Sequence, residues 1–180
     1  MNYTSRYSII HPETKIGTNV FIGNFCKIMN DVTIGSNVFI MDFVKLMPGT
    51  VIGNNVKLDD YVNTSGYVKI GNNVRIKRCT MIGQACKIED NVWIGSHVTT
   101  TRMKFPKAIN DEVSEEKWVL IKSGAVIGSH SLILAGVTIG EHAFVGAGAI
   151  ISKNCEPYGV YVGDHARLIR YRKEVSNNAE

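Results

Sequence analysis

Several ingredients of familiar protein classes are missing from this chain. No run approaches the ~18 apolar residues of a membrane helix, and no apolar stretch follows Met1 as an export signal would. Together these absences point to the cytoplasm and away from membrane insertion. The 4 cysteines form no C-x-x-C pair, so neither a zinc ribbon nor a redox motif is signalled. Aromatic residues are only 8% of the chain and do not interleave with basic residues in a stripe, which argues against nucleic acid as a partner. The net charge of +4 is modest. Much of it sits in Arg167, Arg170, Arg172 and Lys173, and such a cluster suits a membrane surface or a phosphorylated small molecule better than nucleic acid.

What is abundant is a period of six. From Ile16 to Thr99 the chain reads as 14 uninterrupted hexads, beginning I-G-T-N-V-F, I-G-N-F-C-K, and the beat resumes from Ile121 to Glu156 for 6 more. The first position is Ile, Leu or Val throughout, except at Thr64. The fifth is small or β-branched, which accounts for Cys26, Cys86 and Cys155 as small inward side chains, leaving Cys79 at an outward fourth position. Gly recurs at the second position, and Asn or Asp at the third and fourth, where tight turns are served. A fixed period of this kind marks a solenoid. Each hexad is expected to be a strand of four or five residues and a corner. Three sides close an 18-residue coil, and 20 hexads give between six and seven coils with parallel strands about 4.8 Å apart.

One domain spanning 1–180 follows, with coils over 9–99 and 121–156. Residues 1–15 read as a short polar lead, 157–180 as a C-terminal segment holding a short strand or helix. Residues 100–120 break the beat. They carry Pro106, an acidic run and the apolar Met103, Phe105, Ile109 and Trp118, and are expected to protrude as a loop that packs on a neighbouring subunit.

These hexads resemble those of the hexapeptide-repeat acyltransferases. The resemblance covers about 9–172 and is most specific in I-G-S-H-S-L-I-L-A-G-V-T-I-G-E-H-A-F-V-G-A-G-A-I-I-S-K-N (127–154). It implies an all-β fold, the left-handed parallel β-helix, and a homotrimer with active sites between subunits. It also implies acetyl-CoA as cosubstrate. Within the family, I-H-P (10–12) and F-P-K-A (105–108) resemble enzymes that N-acetylate nucleotide-linked amino sugars for surface polysaccharides. Their loop commonly reads T-N-D-x-x-P-R-A; here Arg102 and Met103 replace the Asn and Asp. Galactoside and maltose O-acetyltransferases share the 127–154 pattern, but their T-H-P histidine has no counterpart, since no His lies between 98 and 129.

Acyl transfer from a thioester needs a proton acceptor, a stabilised oxyanion and an aligned donor. Histidine titrates near neutrality and suits the first role. His97 and His130 flank the loop at fourth hexad positions and are the candidate bases; His142 and His11 are expected to be structural. The resemblance gives the oxyanion to the backbone N–H of Ser129. It places coenzyme A along Ala135, Gly136, Ala147, Ser152, Lys153, Arg167 and Arg170, whose cations suit phosphates. Asn24, Asp42, Tyr61, Asn63 and Arg78 are polar residues of the early coils that could meet a sugar. The expected activity is acetylation of a nucleotide-linked amino sugar on nitrogen, with sugar O-acetylation the alternative. A γ-type carbonic anhydrase would need two His five residues apart; no pair has that spacing, so no metal is expected. A non-catalytic scaffold solenoid is the remaining rival.

Overall fold

The computed structural model describes residues 1–103 and 118–173. It is an all-β solenoid, the expected left-handed parallel β-helix, with 25 strands in three sheets. The sheets are the three faces of a triangular tube and hold 10, 8 and 7 strands. Face 1 begins at Tyr3–Thr4, face 2 at Ile9–Ile10 and face 3 at Lys15–Ile16. The chain visits them in that order. Within each run of hexads the step to the next coil is a parallel pairing 18 residues on, as in Lys57↔Arg75 and Leu58↔Ile76, and across the interruption the pairing is kept with the extra residues added, as in Trp93↔Val126.

The hexad dictates this shape residue by residue. The paired strand is two residues long, made of the sixth position of one hexad and the first of the next, as in Phe39–Ile40 and Lys45–Leu46. This is shorter than the four or five residues expected, because positions two to four are spent on the turn. From Asn19 onward, nearly all fourth positions within the hexads adopt a positive φ, from +56° at Asn19 to +53° at His142. Asn and Gly tolerate that region best, yet this chain also places Phe25, Phe43, Tyr61, His97 and His130 there. The first and fifth positions point inward while the sixth points out, a period of two. Ile22, Ile40, Leu58, Ile76, Ile94 and Ile127 form one fully buried column behind face 1. The second-position glycines allow the coils to touch: a Cβ on Gly53 would lie 2.7 Å from the Gly71 carbonyl carbon.

Thr64, the break in the aliphatic column, has a physical reason. Its hydroxyl lies in the core, accepts the Met47 N–H at 3.0 Å and sits 3.0 Å from the Thr50 hydroxyl. Thr50 in turn donates to the Met47 carbonyl. Thr100, two coils further along face 2, likewise accepts the Gly83 N–H at 2.7 Å. At both junctions a hydroxyl takes the place of the ladder carbonyl.

Two segments differ from the sequence expectation. Residues read as a polar lead form the whole first coil, with strands at Tyr3–Thr4, Ile9–Ile10 and Lys15–Ile16. Together with the later hexads this makes about eight turns. The C-terminal segment forms two strands. Gly159–Val162 adds to face 1 in parallel beside Phe144–Val145, and Arg167–Tyr171 then runs antiparallel to it. The interruption lies in one corner: 21 residues separate Thr100 from Ile121, where six separate equivalent positions elsewhere. Thr99–Thr100 and Leu120–Ile121 are nevertheless consecutive strands of one coil, so the coil register survives. The F-P-K-A stretch and Ile109 lie outside the described residues.

Candidate active site

The corner between face 1 and face 2 gathers the chemistry. Its fourth positions, coil by coil, are Tyr7, Phe25, Phe43, Tyr61, Cys79, His97, His130 and Gly148. Their backbones are fixed to one another. The His97 N–H donates to the Arg78 carbonyl at 3.0 Å and the His130 N–H to the Ser96 carbonyl at 2.9 Å. The side chains therefore project from the same edge at successive heights. The His97 and His130 rings stack with centroids 4.7 Å apart and planes 8° from parallel. Both are exposed. The fifteen extra residues of the interruption separate them in sequence, and the shared coil register brings them together.

Beside them runs a ladder of third positions. Three of these backbone N–H groups are capped by the side chain one coil up. The Asn24 N–H donates to Asp42 Oδ1 at 2.6 Å, and that of Asp42 to Asp60 Oδ1 at 3.1 Å. The Ser96 N–H donates to Ser129 Oγ at 3.2 Å. Above Ser129 stands Ala147, which has no acceptor in its side chain. Among the described residues nothing accepts the Ser129 N–H, so that donor stays open next to His130. The same ladder explains Asn24 and Asp42. Asn24 Nδ2 reaches Asp42 at 3.3 Å, and Ser5 donates to Asn24 Oδ1 at 2.6 Å. Their polar atoms are committed to the corner itself. Tyr61 and Arg78 are exposed on the edge, and Asn63 lies on face 2 with its amide donating to the Tyr61 carbonyl.

The residues assigned to coenzyme A are spread over the upper coils. Ala135, Gly136, Ser152 and Lys153 lie on the corner between faces 2 and 3, at and above the level of the interruption. The Ala135 N–H is held by Thr101 Oγ1 at 2.9 Å. Ala147 is on the histidine corner. Arg167 and Arg170 stand exposed on the last strand, on face 1. One protomer thus presents this set on separate edges.

His142 and His11 sit elsewhere. His142 stacks on Tyr158 at 5.0 Å on the corner between faces 3 and 1, and its carbonyl accepts from Arg172. The His11 ring accepts the Glu13 N–H at 3.4 Å. Cys26, Cys86 and Cys155 are buried; burial pushes the thiols of Cys86 and Cys155 up to about 12. Cys79 is exposed. Sequence reasoning missed the aromatic part of the corner. Phe25, Phe43 and Tyr61 stack at 5.1 and 4.7 Å, and the signal was there in their spacing of 18. No group of His, Cys, Asp or Glu that could hold a metal occurs among the described residues. None of the described residues forms a helix long and apolar enough to cross a membrane.

Two family models match the chain. The one described as GMPPB C-terminal domain covers residues 3–104, and the one described as bacterial transferase hexapeptide (six repeats) covers 119–153. Among curated proteins none matches. Solved structures do. The UDP-N-acetylglucosamine acyltransferase from Campylobacter jejuni has a TM-score of 0.69 at 18% identity, over 93% of this chain and 74% of that one. LpxA from Acinetobacter baumannii gives 0.61 at 17%, over 93% and 74%. A variant of AntD, an N-acyltransferase from Bacillus cereus, in complex with dTDP-4-amino-4,6-dideoxyglucose and coenzyme A, gives 0.50 at 24%, over 88% and 83%. At these identities the likeness is one of fold.

Proposed function

The chain belongs to the GMPPB C-terminal domain family and bears a bacterial transferase hexapeptide segment, and from that premise we propose that this hexapeptide-repeat acyltransferase transfers acetyl from acetyl-CoA to the amine of a nucleotide-linked amino sugar. The observation that carries the proposal is the pairing, on one exposed corner, of the stacked His97 and His130 with the open Ser129 N–H. His97 takes the proton that the ammonium must lose before attack, directly or through one water. The nitrogen then adds to the thioester carbonyl. The oxyanion so formed meets the Ser129 N–H, a donor that the fold has left free. Collapse breaks the C–S bond, and the coenzyme A thiolate leaves with a proton.

Lys153, Arg167 and Arg170 serve the phosphates of coenzyme A. Because they stand on different edges of one protomer, a homotrimer that packs one edge against the next subunit is part of the proposal. AntD, crystallised with coenzyme A and an amino-sugar nucleotide, supports the substrate class. Transfer to a sugar hydroxyl uses the same groups with His97 acting during attack.

One assay separates these. Thiol release from acetyl-CoA is followed against a panel of nucleotide-linked amino sugars and simple sugars. Release that depends on an amino sugar supports N-transfer. Release only with hydroxyl acceptors supports the alternative. No release, with no acetyl-CoA binding at millimolar concentration, leaves the scaffold.

A further inference from the structure

The ring ladder of the histidine corner is missing one rung. Tyr7, Phe25, Phe43 and Tyr61 stack upward at 5.6, 5.1 and 4.7 Å, one ring per coil. His97 and His130 continue the same edge at 4.7 Å. Between them stands Cys79, exposed and small, in the coil where a ring would be expected. Phe43 and Tyr61 are within 1° of parallel, and His97 and His130 within 8°. Tyr61 and His97 hold the same corner position two coil steps apart, about 9.6 Å at ~4.8 Å per step, with Cys79 between them.

We propose that this gap is the acceptor subsite, and that a pyranose ring enters it as the missing rung, between Tyr61 and His97 and over Cys79. This rests on the acyltransferase proposal above and assigns its acceptor position. The spacing selects the occupant. A flat nucleobase in contact with both rings would need only about 7 Å, two carbon contacts of ~3.5 Å. A chair-form ring, thickened by its pucker and axial hydrogens, takes up the rest. Its apolar faces meet the two rings, while its equatorial groups point outward in the plane of the gap. An equatorial amine there is one water away from the edge of the His97 imidazole, within the reach a general base requires. Tyr61 is then a positioning residue for the acceptor.

Cys79 makes the gap measurable. It is exposed, whereas burial holds the Cys86 and Cys155 thiols up at about 12, and thiolate is the reactive form. The reaction of Cys79 with dithiodipyridine is timed with UDP-glucosamine, dTDP-4-amino-4,6-dideoxyglucose, glucosamine, UDP and dTDP, each at saturating concentration. We expect at least one amino sugar to slow labelling tenfold or more, with UDP and dTDP alone leaving the rate unchanged. Protection by the nucleotides alone, or by no member of the panel, overturns the proposal. This readout needs no turnover, so it stands apart from the activity assay. If thiol release fails but an amino sugar protects, the acyltransfer proposal falls and the sugar subsite stands.

Two variants test the geometry by function. Cys79→Tyr adds the missing ring at a backbone angle, +58°, that Tyr61 already holds at +60° in the same corner. It is expected to raise the acceptor KM by tenfold or more while acetyl-CoA still binds. Tyr61→Ala is expected to raise acceptor KM about tenfold, with Tyr61→Phe restoring it. An unchanged KM in both Cys79→Tyr and Tyr61→Ala overturns the subsite. A fall in kcat alone in Tyr61→Ala does so too.

Discussion

Ala147→Asn gives the amide of Ser129 what those of Asn24, Asp42 and Ser96 have, a side-chain acceptor one coil up. Asp42 caps Asn24 in that way at 2.6 Å. Capping the Ser129 N–H should leave thermal stability unchanged or raise it, while kcat falls about 10²-fold, the usual cost of losing one oxyanion donor. Steady-state kinetics beside a melting curve checks both. His97→Asn is expected to lower kcat by 10²-fold or more, as removal of a general base does. If His97→Asn and His130→Asn both keep full turnover, proton loss occurs without a side-chain base. At this scale the sequence was partly legible. The two histidines could be named because they occupy fourth positions, and the register joined them. The open amide could not be read, because it depends on which side chain lies one coil above, and the interruption hides that the residue above Ser96 is Ser129.

A strand within the hexads is two residues long, so none is stable alone; each is held by the neighbouring coils. Ile88 is 1% exposed in the column behind face 3. Ile88→Asp places an unpaired charge there and is expected to cost 4 kcal/mol or more, about the most that one substitution costs; chemical denaturation would measure it. Thr64→Val tests a subtler point. It makes the aliphatic column more regular, yet it strips the Met47 N–H of its acceptor. The expected outcome is a loss of about 1–3 kcal/mol, the penalty for an orphaned buried donor. The column itself was legible from Ile16 to Ile151, since each first position repeats the same inward environment. Thr64 was not, because its partner Thr50 is fourteen residues away and belongs to a different coil position. The first coil was also hidden: Tyr3–Thr4 lacks an aliphatic first position, and Ile9–Ile10 stands alone before the beat is established.

For the whole molecule, sedimentation equilibrium should give three times the chain mass of 19.9 kDa. A site shared between protomers allows complementation. His97→Asn chains mixed with Arg167→Ala/Arg170→Ala chains should regain turnover after subunit exchange, because some interfaces then pair two intact halves. A mixture as inactive as its parts would place the whole site in one protomer. The step of 18 residues between neighbours on a face below the interruption has another outcome. Height along the tube is quantised, as on a ruler whose graduations are whole turns. Excising residues 62–79 removes one graduation and joins Tyr61 to Thr80, a fifth-position residue following a fourth as before. The shortened chain keeps its phase, and Tyr61 arrives directly beneath His97 with nothing between. Such a deletion should fold, and it would close the gap between Tyr61 and His97 by shortening the molecule instead of filling it.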